Sequence, residues 1–395
     1  MPLLCSSFGL SPHLTQAQKL ALKTTAELVS TPGKGITACD EGPATIGSRL
    51  EAVGVSNSEE QRRIYRQMLF KTPTIEKYLS AAILDPETLL QKDDEGVLFP
   101  EVLAAKGIQV GVKPHLKIYT LPGTGGDTVM QGLDSLGDRC KSYYAQGARF
   151  AKWRSPLVID TSKGCPTNLA IEANMQDLAR YALICQQEGL MPIVEPDVSL
   201  SGSHNLEDAV KINIQIQSCL FKAMLDHGVY MEGTTLKPNM INPGKNCPTS
   251  HSVEEIAEAN IYVLKQSFPA AMSGANYLSG GQSLEDAAAR LSAINQCKDE
   301  RSPWNLSFSW SAAIQFPLFD LCKGKNDFDL PAMGNLYVKE LKIAQAAALG
   351  THVWKKGEGD HVGSRSMYSG EDDNDSITMP TPTTTTKSWL TKLFN

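Results

Sequence analysis

Between residues 35 and 309 the chain alternates eight short β-like runs with amphipathic stretches long enough to form helices. The runs are 35–39 (GITAC), 81–84 (AAIL), 108–112 (IQVGV), 150–153 (FAKW), 192–194 (PIV), 234–236 (TTL), 271–278 (AMSGANYL) and 306–309 (LSFS). Strands separated by a helix's length of chain pair in parallel, so this rhythm predicts βα units. The helix boundaries agree. Ser58 precedes Glu59, Glu60 and the stretch 61–70, and Ser252 with Glu255 forms a capping box ahead of 256–267. The stretches 171–188 and 206–227 run into Gly189 and Gly228, glycines suited to the left-handed turn that ends a helix. Eight such units predict an α/β fold, a (β/α)8 TIM barrel in a single domain.

The barrel is expected over residues 1–356 and a flexible C-terminal tail over 357–395. That tail combines glycines, an acidic patch (Glu371, Asp372, Asp373, Asp375) and a Thr/Pro run at 381–386, a composition that cannot bury a core. It closes with Trp389, Leu390, Leu393 and Phe394 on one helical face, either a frayed end or a segment that docks on the barrel mouth or a partner.

Charge and composition narrow the function. The 37 Lys and Arg against 43 Asp and Glu leave −6, spread evenly, which is no footprint for nucleic acid. No apolar run approaches the roughly 18 residues that span a bilayer, so no membrane partner is expected. Residues 1–10 lack the charged start of a secretory signal and the Arg-rich length of a transit peptide, which gives a cytoplasmic expectation. A plastid enzyme whose transit peptide is missing from the chain would look the same. Nine scattered cysteines without a CxxC suit a reducing compartment, and seven histidines without HExxH give an expectation of no metal and no cofactor.

The residues at the strand exits carry the chemical signal. In order they are Asp40; Asp85 and Glu87; Lys113; Lys152 and Arg154; Glu195; Lys237; Ser279, Gly280 and Gly281; and Ser309. One charged residue at a strand end signals only that the chain returns to water. Eight exits that converge on one barrel face, carrying cations and carboxylates together, point to a site. Lys237, stopped by Pro238, suits imine formation with a ketone. An amine attacks only when neutral, which costs about 4.6 kcal/mol at pH 7 for an unperturbed lysine; nearby Lys152, Arg154 and Lys113, with burial, are expected to lower that cost. Glu195 and Asp197 lie one pleat apart, so mutual repulsion is expected to raise one pKa and leave an acid beside a base, with Asp40 as a second base. LSGGQS at 278–283 precedes a helix-like stretch, and its backbone N–H groups suit an anion. The glycines of LPGTGGDT at 121–128 open no helix and read as a loop.

Taken together, PGKGI with Asp40 and Glu41, GVK, FAKWR, VEP, LKPNM and LSGGQS, in this order, resemble the class I, Schiff-base fructose-bisphosphate aldolases over roughly residues 14–350. The resemblance implies a metal-free (β/α)8 barrel, commonly a homotetramer, acting on a sugar phosphate. By it, Lys237 forms the imine, Glu195 serves as acid and base in making it, and Asp40 takes the C4-hydroxyl proton. Lys152 and Arg154 assist proton transfer and positioning, and Lys113 lines the mouth. Arg49 matches an arginine near one phosphate, while Ser279, Gly280 and Gly281 match the cradle for the other.

The chain also departs from that pattern. Ala312 stands where the resemblance leads to an arginine for the C1 phosphate; one charge-assisted hydrogen bond is worth ~1.5–3 kcal/mol, roughly ten- to a hundredfold in recognition. Gly42-Pro43 replaces a usual serine, Asp197 a glutamate and Asn395 a terminal tyrosine. Three readings follow: a fructose 1,6-bisphosphate aldolase, a Schiff-base aldolase with altered phosphate-sugar preference, and a scaffold that retains the barrel and binds a partner through its tail.

Overall fold

The computed structural model describes residues 11–363, and all eight expected strands lie within them. They are β1 (Gly35–Cys39), β2 (Leu79–Leu84), β3 (Gln109–Val112), β4 (Phe150–Leu157), β5 (Met191–Val198), β6 (Thr235–Leu236), β7 (Gly274–Tyr277) and β8 (Asn305–Trp310). Each pairs in parallel with its neighbours in sequence, and β8 returns to β1, so the sheet closes. β1 and β2 are buried along their whole length, which is why they read as apolar runs and not as alternating ones. The expected caps are present. Ser58 accepts from the Gln61 amide, and Ser252 and Glu255 cap each other's backbone at the start of the helix Val253–Ser267.

A barrel strand turns alternate side chains inward, and that parity organises the interior. One buried cluster joins Ile36 and Ala38 of β1, Ala81 and Ile83 of β2, Phe150 of β4, and Met191 and Ile193 of β5. Leu22, Ala26 and Val29 of the helix Gln16–Val29 belong to the same cluster, so this helix plugs the end where the strands begin. Continuing the parity past that plug gives Asp40 just after β1, Lys113 just after β3, Lys152 and Arg154 on β4, and Glu195 and Asp197 on β5. The inward positions therefore change from apolar to charged within one or two pleats of the core.

β4 and β5 extend four residues past their expected ends, because Arg154 to Leu157 keep pairing with Glu195 to Val198 despite Pro156 and Pro196. β7 is shorter than expected, with Ala271 to Ser273 left in the turn before it. A two-stranded antiparallel ribbon, Ile118–Thr120 with Thr128–Met130, was not legible as strands, and LPGTGGDT forms its connecting loop.

Residues 357–363, expected to begin the tail, pack on the barrel. Gly359 donates to Asp286 (2.9 Å) and accepts from Arg290 (2.7 Å), Asp360 accepts from the Val253 amide (2.8 Å), and His361 bridges to His251. The rest of the expected tail, with its acidic patch, Thr/Pro run, Trp389 face and Asn395, lies outside the described residues, as does the 1–10 segment.

Gly111 tests the inner packing. A Cβ there would fall 2.1 Å from the Phe150 ring, far inside contact distance. Gly111→Ala is expected to destabilise the protein by about 1–3 kcal/mol, through overpacking. Urea denaturation measures this, and an unchanged midpoint contradicts it.

Candidate active site

At the C-terminal end of the barrel, parity delivers four charges of alternating sign into contact. Lys152 Nζ lies 2.7 Å from Asp40 Oδ2 and 3.0 Å from Glu195 Oε2. Lys237 Nζ lies 3.0 Å from the other Glu195 oxygen. The chain Asp40–Lys152–Glu195–Lys237 thus crosses the mouth from β1 through β4 and β5 to the end of β6, and all four residues are buried.

Mutual attraction decides their ionisation. Burial works to raise the pKa of Asp40, but Lys152, then Lys237 and Lys113, outweigh it and hold the carboxyl far below its usual range. Burial likewise opposes ionisation of Glu195, and Lys152, Lys237 and Arg154 overcome it and lower the pKa. Burial disfavours the Lys152 ammonium, yet Asp40 and Glu195 raise its pKa above the ordinary lysine value.

This corrects two expectations. Glu195 and Asp197 do not form a proton-sharing carboxylate pair, because each faces cations of its own: Asp197 Oδ2 lies 2.6 Å from Arg154 Nε. The cations expected around Lys237 come interleaved with carboxylates, since Glu195 stands between Lys237 and Lys152.

A cleft open to solvent surrounds this row. Asp40, Lys113, Lys152, Arg154, Glu195, Lys237, Arg49, Ser279 and Gly280 all line it. Gly281 follows behind the lining, in the turn where Gly280 (φ +59°) and Gly281 (φ +77°) adopt the left-handed conformation that lets the chain double back. Ser283 then caps the helix Leu284–Gln296. Gln282 ties this turn down, donating to the Ser279 carbonyl (2.6 Å) and accepting from Arg290 (2.7 Å). Across the mouth, Lys113 pairs with Asp85 (3.2 Å). Glu87, another strand-exit carboxylate, instead pairs with Arg62 and does not line the cleft.

Arg49 reaches the rim from the helix Pro43–Glu51. It lies 2.6 Å from Glu41 and 3.1 Å from the Ser311 hydroxyl, with its guanidinium 4.7 Å from the Phe316 ring centroid. Glu41 also pairs with buried Arg66 (3.0 Å) and accepts from Ser311. Ala312, only 3% exposed, opens the helix Ala312–Asp320 beside this cluster. Sequence reasoning missed Glu41 and Ser311 as holders of Arg49, since they meet only when β8 closes on β1. It also missed His115, whose one available signal was the inward parity it shares with Lys113.

Lys152→Met would leave two buried carboxylates without their shared cation. It is expected to cost about 3–5 kcal/mol at pH 7, the range for breaking a buried ion pair. Asp40 and Glu195 are held below their ordinary values of 3.8 and 4.5, so the stability Lys152 contributes is present above those values and lost as pH falls. Denaturation curves at pH 7 and pH 3 should therefore show the gap between variant and parent narrowing in acid. A constant gap contradicts the assignment.

Comparison with known proteins agrees with this geometry. Residues 21–373 match the family model described as fructose-bisphosphate aldolase class-I. Fructose-bisphosphate aldolase C-A of Danio rerio is 43% identical over 342 residues, 86% of this chain and 93% of the relative. Fructose-bisphosphate aldolase of Dictyostelium discoideum is 40% identical over 348 residues, covering 88% and 96%. The structure of fructose-bisphosphate aldolase from Plasmodium falciparum, in complex with TRAP and a small-molecule inhibitor, superposes with a TM-score of 0.83 at 38% identity, covering 87% of this chain and 98% of that one. With nine-tenths of its length matched by the family model and by relatives 40–43% identical, the chain belongs to the class-I fructose-bisphosphate aldolase family.

Proposed function

We propose that the protein cleaves fructose 1,6-bisphosphate reversibly, through an imine on Lys237, into dihydroxyacetone phosphate and glyceraldehyde 3-phosphate. The observation that carries this reading is the buried contact between Lys237 and Glu195, with Lys152 and Asp40 continuing the chain. Glu195 accepts a proton from the Lys237 ammonium at 3.0 Å, which frees the amine to attack the ketose C2. The same carboxyl then returns a proton to the carbinolamine hydroxyl, which leaves as water and yields the imine. Asp40, ionised at neutral pH, takes the C4-hydroxyl proton. The C3–C4 bond breaks, its electron pair moves into an enamine, and the aldehyde half departs. Protonation at C3 and hydrolysis of the imine release the ketone half and restore Lys237.

Around this centre Lys152 keeps both carboxylates ionised, and Arg154 and Lys113 position the substrate. Arg49 serves one phosphate, and the Ser279–Gly280–Gly281 turn serves the other. A homotetramer, a cytoplasmic location and a place in glycolysis or gluconeogenesis belong to the same reading, supported by the family. A shifted preference among ketose phosphates is the second reading, carried by the small apolar Ala312 beside the Arg49–Ser311 cluster.

Borohydride added with dihydroxyacetone phosphate is expected to leave a reduced adduct on Lys237, read by peptide mass spectrometry. Glu195→Gln should lower kcat about 10²–10⁴-fold, the range for loss of a general acid–base group. No adduct in the parent, with activity that dies in EDTA, would falsify the imine mechanism. On the second reading, Ala312→Arg should raise kcat/KM roughly tenfold for fructose 1,6-bisphosphate and for fructose 1-phosphate, since both carry the C1 phosphate that one added charge-assisted hydrogen bond would hold. A variant that changes neither rate nor preference shows that another group already fills the role and rules that reading out.

A further inference from the structure

His115 is a histidine in the cleft wall that the imine scheme leaves without a task. It follows Lys113 by two residues, lines the cleft, is 7% exposed, and has no hydrogen-bond partner for either ring nitrogen among the described residues. Its ring meets Trp153 edge-on, with centroids 5.9 Å apart and planes at 69°. Burial, then the charges of Lys152 and Lys113, push its pKa well below 6.5; Asp40 opposes this weakly and Arg154 adds to it. At neutral pH the ring is therefore uncharged, with one N–H donor and one lone-pair acceptor, and it serves neither as a cation for phosphate nor as a base.

Topology places the ring on the substrate's path. In a closed barrel of eight strands, β3 and β7 face each other across the mouth. A phosphate held at the Ser279–Gly280 turn after β7 leaves C2 beside Lys237 at the end of β6, and the rest of the sugar runs toward β3 and β4, where His115 lines the cleft together with Lys113 and Lys152. An unpartnered buried nitrogen is unfavourable, and a hydroxyl, which can donate or accept, pairs with whichever of the two it meets. Both nitrogens are enclosed, so contact needs a turn about the Cβ–Cγ bond, a torsion with a broad, soft profile.

We propose that His115 is a specificity-determining residue that hydrogen-bonds, as a neutral imidazole, a hydroxyl on the half of the sugar phosphate released as the aldehyde. This rests on the imine reading, and the test separates the two. His115→Phe keeps the ring and removes its polar atoms; His115→Gln keeps a neutral donor and acceptor. For fructose 1,6-bisphosphate, His115→Phe should lower kcat/KM roughly tenfold, the value of one neutral hydrogen bond plus its unpaired partner, and His115→Gln should recover much of that. Trapping of dihydroxyacetone phosphate on Lys237 by borohydride should proceed at the parent rate in both variants, because that ligand lacks the aldehyde half. Unchanged kcat/KM in His115→Phe, or trapping that falls in parallel with it, overturns the proposal. Absence of trapping in the parent overturns the imine reading and this proposal with it.

Discussion

Glu195 divides its two carboxylate oxygens between Lys152 and Lys237, and Lys152 in turn touches Asp40. None of these charges would be tolerated alone at this depth, because stripping an ion of water costs several kcal/mol even after the protein relaxes. Held in sequence, each offsets the burial of the next, and Asp40, Lys152 and Glu195 stay ionised at neutral pH in a place that favours neutral groups. The arrangement stabilises the fold only weakly beyond what an apolar core would give. Its consequence is chemical: an amine, a proton acceptor within 3.0 Å of it, and a second carboxylate one lysine away.

The two-residue repeat of the strand supplies the row. Positions that carry Ile36, Phe150 and Met191 into the inner core carry Asp40, Arg154 and Glu195 into the mouth a few residues later. The helix Gln16–Val29 plugs the starting end with apolar side chains, so the inward-facing charges meet only at the open end. Around them the rim is built differently. Arg49, Lys113 and the Ser279–Gly280 turn stand on helices and loops just beyond the strands, anchored by Glu41 and Ser311, by Asp85, and by Gln282 with Arg290.

This division explains what was legible in the sequence. The eight strands could be read because strands buried on both faces appear as short unbroken apolar runs, and β1 matches its expected range residue for residue. Lys237, Glu195, Lys152 and Asp40 could be read because strand exits in a barrel converge. The electrostatics could not, since repulsion between Glu195 and Asp197 is the natural inference from spacing alone; only closure of the sheet brings Arg154 against Asp197 and Lys152 against Glu195. The rim anchors were hidden for a similar reason: Ser311 is 262 residues from Arg49. His115 was hidden because its one signal, the inward parity it shares with Lys113, gains weight only once the cleft around it is known.

The central claim is that this row of buried charges turns Lys237 into an imine-forming nucleophile facing a sugar phosphate. A crystal structure of the protein reduced with borohydride in the presence of fructose 1,6-bisphosphate tests it most directly. The account predicts continuous density from Lys237 Nζ to C2 of the ligand, Glu195 within hydrogen-bond distance of that linkage, and a phosphate at the Ser279–Gly280 turn. A ligand seated in the cleft with no covalent link to Lys237, or a reduced adduct on a different lysine, would contradict it.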